Sequence, residues 1–291
     1  MNIYTEDKCV VIDGISDFDV THTFDCGQCF RWEREEDGSY TGVAFGKVVN
    51  IASKDNRVVI SNSCVEDVEN IWIDYLDLKE DYGSVKSGFS ADENLSKAMD
   101  FGFGIRILRQ DLWETIVSFI ISANNNIPRI KKIINKMCEL FGEKIEFDGK
   151  IFYGFPTPEA LAELALSDLA PIRAGFRDKY ILDAAKKVVS GEVNLDEIPK
   201  LSNNNAKSEL MKIKGVGTKV TDCVLLFSLG RHNVFPLDVW TKRIINDVYG
   251  IEEKVVPTFI EEHFGKNAGI AQQYLYYYYA IEGNSIQSDV G

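Results

Sequence analysis

Two stretches decide the reading: Leu210-Met211-Lys212-Ile213-Lys214-Gly215-Val216-Gly217-Thr218-Lys219-Val220-Thr221-Asp222-Cys223, and Val234-Phe235-Pro236-Leu237-Asp238-Val239-Trp240. In the first, helical spacing breaks at a Gly-Val-Gly turn and then resumes. Gly215 and Gly217 permit a tight turn between two helices, because neither carries a Cβ that would clash at positive φ. Thr218 is expected to cap the second helix. Such a turn exposes backbone N–H groups at a helix N-terminus, a ready seat for a phosphate. Lys219 falls in the first turn of that helix. The positive end of the helix dipole disfavours an ammonium there and favours the neutral amine that a nucleophile needs. A solvated surface lysine is an equal reading of this local pattern. In the second stretch the apolar run 234–237 carries Asp238 inward, just ahead of a helix beginning at Val239. Asp238 can cap that helix and also serve as a carboxylate partner for Lys219, since a capping carboxylate is held rigidly.

Working outward, helical spacing dominates from about Trp72. Asp111 is expected to cap a helix in which Leu112, Ile116, Phe119 and Ile120 share a face, ending at residues 122–126. Pro128 opens the next, Arg129 to Leu140. Further helices are expected over 157–165, 167–173, 178–190, 203–213, Thr218–Leu229, Val239–Tyr249 and 257–282. Residues 7–62 instead carry short β-branched and aromatic runs broken by Asp-Gly and Gly-Lys turns. The fold class is therefore α+β, a small N-terminal antiparallel β domain followed by a mainly α-helical one. The expected divisions are 1–100 (β-rich, with connecting helices), 101–284 (all-α) and a disordered tail over 285–291.

Composition sets limits on this reading. The chain has 291 residues, of which 45% are hydrophobic and 26% charged, as in an ordinary globular protein. No apolar run approaches the roughly 20 residues that span a bilayer. The N-terminus shows no basic region followed by an apolar core, so no secretion signal is expected and the cytoplasm is the default location. Six cysteines (Cys9, Cys26, Cys29, Cys64, Cys138, Cys223) are scattered. Cys26 and Cys29 form a C-x-x-C without a second pair to complete a zinc site, and no four-cysteine cluster suits an iron–sulfur centre. No metal site is expected.

The net charge of −13 argues against nucleic acid as a partner. Its distribution weakens that objection. Residues 51–100 hold eleven acidic against five basic side chains, whereas 205–245 hold seven basic against three acidic. Backbone donors at a hairpin also bind phosphate without a large positive charge.

The two opening stretches together resemble the helix–hairpin–helix Gly/Pro-Asp DNA glycosylase superfamily. In detail the chain is similar to the bacterial members of the 8-oxoguanine DNA glycosylase/AP lyase family. Five segments in the right order carry that resemblance: GVGTKVTDC and VFPLDVW; Gly27-Gln28-Cys29-Phe30-Arg31-Trp32, like the family's base-reading turn; the segment from Ser122 to Arg129; and Ala174-Gly175-Phe176-Arg177.

The resemblance implies a bifunctional enzyme of base excision repair. Lys219 would attack C1′ of the damaged nucleoside, expel 8-oxoguanine and leave a Schiff base open to β-elimination. Asp238 would stabilise the cationic sugar. The base would be flipped into a pocket, with the Gly27 carbonyl accepting the N7–H that distinguishes 8-oxoguanine from guanine. Gln272 would bond its Watson–Crick edge, and Cys223 and Tyr276 would cover its two faces. Asn124 would fill the vacated space, Arg129 and Arg177 would bond the orphaned cytosine, and Phe176 would wedge into the stack. Gly215, Gly217 and Trp240 would contact the strand. The partner is thus duplex DNA with 8-oxoguanine opposite cytosine, bound by a monomer without a membrane role. No cofactor is required, with a monovalent cation conceivable at the hairpin. Four positions depart from the pattern: Phe176 replaces a tyrosine of mammalian members, Trp240 a histidine, Lys214 a proline and Tyr276 a phenylalanine. The alternatives are a monofunctional alkylbase glycosylase, which has no lysine in the hairpin helix, and a non-catalytic DNA-binding module, which has no need of Asp238.

Overall fold

The N-terminal strands are joined by two-residue turns whose central residues both hold positive φ: Asp7-Lys8, Phe45-Gly46 and Asp55-Asn56. Turns of this hand match the right-handed twist of the strands they join. The structure, a computed structural model, describes residues 1–288, with side chains through Ile281. Six strands, β1 (Asn2–Glu6), β2 (Cys9–Asp13), β3 (Trp32–Arg34), β4 (Tyr40–Ala44), β5 (Lys47–Lys54) and β6 (Arg57–Ser61), form one antiparallel sheet in the order β1-β2-β6-β5-β4-β3. The first strand begins ahead of the β-rich region read from the sequence. Between β2 and β3 lies a short helix, α1 (Val20–Asp25), whose N-cap Asp19 accepts from the His22 amide.

After the sheet come α2 (Val65–Asp67), a π-turn over Val68–Trp72 and α3 (Ile73–Tyr75), then α4 (Tyr82–Gly88) and α5 (Glu93–Phe101). The chemistry-bearing helices follow: α6 (Leu112–Ser122), capped by Asp111, and α7 (Ile127–Phe141), capped by Asn126 with Pro128 in its first turn. A two-stranded hairpin, β7 (Lys144–Phe147) and β8 (Lys150–Tyr153), turns at Asp148-Gly149. The sequence reading missed it. Beyond it are α8 (Pro158–Ala162), α9 (Asp178–Val189), α10 (Asn203–Leu210), α11 (Thr218–Phe227), α12 (Val239–Tyr249), α13 (Val256–Phe264) and α14 (Ala268–Ser288).

Four expected helices differ, the one over 203–213 by stopping at Leu210. The segment expected as a helix over 167–173 is a 3-10 turn, Leu166–Ile172, with Pro171 inside it; proline has no N–H to sustain an α-helical ladder. The helix expected over 157–165 stops at Ala162. The one expected over 257–282 is two, broken where Gly265 takes φ +53° and the chain redirects. Past that break the first turn of α14 meets the loop that follows α11, where the Gly269 amide donates to the His232 carbonyl at 2.7 Å. Of the expected tail over 285–291, residues 285–288 are helical backbone and 289–291 lie outside the described residues.

Two hydrophobic cores result. One lies beneath the sheet and gathers Ile12, Phe24, Trp32, Val49, Ile60 and Trp72. The other fills the helical body around Ile116, Ile134, Ala184, Leu225 and Tyr274, and it also takes in Tyr82, Val85, Leu95 and Met99 from α4 and α5. The turn after α1 straddles the seam. Cys26 and Phe30 bury in the helical core, while Cys29 and Trp32 bury in the sheet core. Alternate residues committed to opposite cores leave this turn little freedom to move. No helix among the described residues is long and apolar enough to cross a membrane.

Candidate active site

The hairpin is held from outside. Gly215 takes φ +83° and lies flat against Tyr180 of α9, where an added Cβ would come within 2.4 Å of the ring. The Asp183 carboxylate accepts from the Lys214 amide at 2.9 Å and pairs with the Lys214 ammonium at 3.4 Å. The N-cap of α11 is Gly217, which brings no side-chain bond; Thr218, expected as the cap, is the first residue inside the helix. A hydroxyl in helical backbone points away from the amides that an N-cap side chain reaches. The first-turn amides are thereby left to a partner from outside, as a phosphate seat requires.

Lys219 is half-buried, with its ammonium over the Phe119 ring of α6 at 5.2 Å from the centroid. One turn along α11 is Cys223, whose thiol burial pushes up to about 11, against the opposing pull of the nearby lysine. It therefore offers a neutral, polarisable sulfur rather than a thiolate. Asp238 caps α12 as expected: its Oδ1 accepts from the Thr241 amide at 2.8 Å, and the Asp238 amide donates to Thr241 Oγ1 at 2.8 Å. Lys219 and Asp238 face the same cleft, of about 700 Å3, without a direct ion pair between them.

The opposite wall comes from the two-core turn and from α14. Gly27 takes φ +83°, and an added Cβ there would stand 3.4 Å from Tyr276 Cε1 and 3.4 Å from Ile127 Cδ1. Tyr276 is half-buried; burial, then the nearby Asp238 carboxylate, push its hydroxyl up to about 12, so it stays a neutral donor. Gln272 is 5% exposed and its Oε1 is buried without a hydrogen-bond partner, yet the residue opens into the cleft. An unsatisfied buried amide oxygen is costly, and a ligand donor would satisfy it.

Gly27, Asn124, Lys219, Cys223, Asp238, Trp240, Gln272 and Tyr276, eight of the thirteen residues singled out from sequence, border this one cleft. Trp240 is 43% exposed at its rim. The other five lie outside its lining. Gly215 and Gly217 form the hairpin below it, and Phe176 stands 53% exposed with its ring edge against Tyr180. Arg129 is exposed and Arg177 is not. Arg177 is 3% exposed, donating through Nε to the Ala123 carbonyl at 3.0 Å and to the Asn124 and Ala174 carbonyls at 2.8 and 3.1 Å. The loop carbonyls thus occupy the Arg177 guanidinium, which was expected to bond the orphaned cytosine, and Arg129 in turn donates to Asn125 Oδ1 and the Arg173 carbonyl at 3.4 and 3.2 Å.

Phe119, Ile127, Lys242 and Gln273 also line the cleft and were not singled out. Phe119 shares a face of α6 with Leu112, Ile116 and Ile120, and nothing in helical spacing separates a core ring from one beneath a lysine. The Cys26/Cys29 pair is committed to packing on either side of the seam. Both thiols are buried and pushed upward by that burial, and they donate to the Thr23 and Phe24 carbonyls. Among the described residues no cluster of three or more His, Cys, Asp or Glu is placed to hold a metal ion.

Comparison with known proteins bears on this cleft. Residues 11–116 match the family model described as 8-oxoguanine DNA glycosylase, N-terminal domain, and residues 117–268 match the HhH-GPD superfamily of base excision DNA repair proteins. The fold superposes with a TM-score of 0.93 on the Clostridium acetobutylicum 8-oxoguanine glycosylase/lyase in complex with dsDNA containing cytosine opposite 8-oxoG. The two are 44% identical over 97% of this chain and 99% of that one. MBOgg1, solved with a low affinity DNA ligand, gives a TM-score of 0.94 at 48% identity over 97% and 99% of the two chains. The N-glycosylase/DNA lyase of Saccharomyces cerevisiae is 41% identical over 160 residues, 51% of this chain and 43% of that protein.

Proposed function

This chain belongs to the 8-oxoguanine DNA glycosylases of the HhH-GPD superfamily, and from that premise we propose how its own residues perform the reaction. It is a DNA glycosylase with AP lyase activity that removes 8-oxoguanine from duplex DNA. The observation that carries the assignment of residues is the convergence on one cleft of Lys219, Asp238 and the unsatisfied Gln272 amide, with Gly27 on the facing wall.

The base reaches Lys219 only after leaving the stack. Asn124 fills the place it vacates, and Phe176, exposed and braced by Tyr180 and the Arg177 guanidinium (4.4 Å), is the wedge that enters the stack beside it. The flipped base lies between Cys223 and Tyr276. Gln272 Oε1 accepts from its Watson–Crick edge, and the Gly27 carbonyl accepts the N7–H that guanine lacks. The Lys219 amine then forms a bond to C1′ as the C1′–N9 bond breaks, and the departing base takes up a proton. The lysine nitrogen, having lost a proton, then uses its lone pair to form C1′=N as the C1′–O4′ bond breaks and O4′ takes up a proton from water, which leaves a protonated imine on the opened sugar. Abstraction of a proton from C2′ expels the 3′ phosphate and nicks the strand. Asp238 faces the developing positive charge on the sugar, which a fixed carboxylate stabilises best in a dry site.

Two finer points belong to the same proposal. The base opposite the lesion is cytosine, read by the exposed Arg129 fork and by the loop around Asn124, which Arg177 supports from beneath. The acting unit is a single chain. A monovalent cation held by the hairpin carbonyls would strengthen the grip on the strand, and a potassium-dependent gain in DNA affinity would mark it.

Borohydride trapping on an 8-oxoguanine:cytosine duplex tests the assignment. A covalent adduct is expected with the wild-type chain and none with Lys219→Gln. An adduct that survives Lys219→Gln would move the nucleophile elsewhere, and base release without any adduct would make the enzyme monofunctional.

A further inference from the structure

Glycine at φ +83° has access to several backbone wells, so the direction of the Gly27 carbonyl is not secured by its own conformation. Its neighbours on either side are tied. The Cys26 carbonyl accepts from Gln273 Nε2 at 2.6 Å, and the Gln28 carbonyl accepts from Gln110 Nε2 at 2.8 Å. The Gln28 side chain adds a third anchor, donating to the Thr23 and Arg106 carbonyls at 2.8 Å each and accepting from the Leu108 amide at 2.9 Å. Two of these anchors, Gln28 and Gln110, tie the turn to Thr23 and to residues 106–110. Gln273 is different. It reaches from α14, 247 residues away in sequence, is 2% exposed, and sits next to Gln272 and three residues before Tyr276.

We propose that Gln273 is a positioning residue for base discrimination, holding the Cys26–Gly27 peptide so that the Gly27 carbonyl is set in register with the Gln272 and Tyr276 side chains of the same helix. The bond is directional: a carbonyl only accepts, so the Gln273 amide nitrogen must face the turn. Adjacent residues on a helix point about 100° apart. Gln272 accordingly opens into the cleft while Gln273 grips its wall. One rigid helix thereby fixes the distance between the group that reads the Watson–Crick edge and the turn that reads N7. A single hydrogen bond from N7–H discriminates only if its acceptor stays in place, because a tilted carbonyl loses most of the bond.

The inference rests on Gly27 as the reader of N7–H. Its test uses Gln273→Met, of similar volume but without a donor, and Gln273→Leu as a second variant. Three measurements are compared with wild type: the ratio of Kd values for guanine:cytosine and 8-oxoguanine:cytosine duplexes, single-turnover excision of 8-oxoguanine, and strand nicking at a preformed abasic site. The expected result is that discrimination and excision each fall by about tenfold, the worth of one buried hydrogen bond, while nicking at the abasic site holds and the melting temperature drops no further than the loss of that one bond accounts for. The abasic site has no base to read, so its cleavage does not draw on the turn. Discrimination retained in both variants overturns the proposal. So does a parallel loss of excision, nicking and melting temperature, which would make Gln273 a packing residue only. A wild-type chain that binds both duplexes alike would instead remove the Gly27 reading on which the proposal stands.

Discussion

Asp238 and Thr241 cap one another: the carboxylate Oδ1 accepts from the Thr241 amide at 2.8 Å while Thr241 Oγ1 accepts from the Asp238 amide at 2.8 Å. The reciprocal box fixes the carboxyl group at the mouth of α12 without a contribution from Lys219. A carboxylate placed by its own helix is ready before substrate arrives and costs no reorganisation at the moment of reaction.

Asparagine caps as well as aspartate. Asp238→Asn is therefore expected to keep the melting temperature and DNA affinity while single-turnover excision falls by about 10²–10³. Asp238→Ala should lose the rate and, in addition, about 1 kcal/mol of stability from the missing cap. Thermal melts beside single-turnover kinetics separate the two; equal melting losses in both variants would leave the cap as the residue's main role.

Arg177 and Arg129 should part company on stability. Arg177→Ala strips the donor from the Ala123, Asn124 and Ala174 carbonyls and releases Asn124 from its left-handed φ of +50°. A cost of about 1–3 kcal/mol is expected, together with weaker preference for cytosine opposite the lesion. Arg129→Ala, on an exposed side chain, should weaken that preference with a stability change within about 0.5 kcal/mol. Melting curves and excision opposite cytosine against adenine distinguish them.

Gly215→Ala meets two obstacles at once, a φ of +83° and a Tyr180 ring 2.4 Å from the new Cβ. A loss of roughly 1–3 kcal/mol is expected, with DNA affinity falling for undamaged and damaged duplexes alike, because the hairpin grips backbone. Selective loss for the damaged duplex would place the hairpin in base reading instead.

Alkaline pH should unfold the protein through its buried thiols and phenols. Burial raises Cys223 from 9.0 to about 11, Cys26 and Cys138 to about 12, and Tyr276 and Tyr277 from 10.0 to about 12. Above pH 9 the unfolded chain sheds these protons first and the folded chain keeps them, so the unfolded state binds fewer and stability falls as pH rises. Below pH 9 both states hold them and the contribution is complete. Melting temperature should be insensitive to these groups up to pH 9 and decline from there toward pH 12. Cys223→Ala should shallow the decline between pH 9 and 11; an unchanged slope would mean that this thiol titrates freely.

The sequence by itself determined the parts that local chemistry specifies. Gly215 marks the hairpin because few other residues adopt its φ of +83°, whereas Gly217, expected to need the same freedom, takes φ −108°, extended backbone open to any residue. The apolar run into Asp238 marks an inward-facing cap, and β-branched alternation marks the sheet. With the family resemblance, these lead to the expectation that Lys219, Asp238, Gly27 and Gln272 share one site. Tertiary structure alone decided what depends on contacts remote in sequence. Arg177 is occupied by loop carbonyls more than fifty residues away. Phe119 lies under a lysine from another helix, and the Cys26 carbonyl is held from α14. Periodicity and propensity describe a residue's neighbours along the chain. A hydrogen bond between two surfaces brought together by packing leaves no trace in either stretch read alone, and in this protein such bonds aim the groups that the sequence had already named.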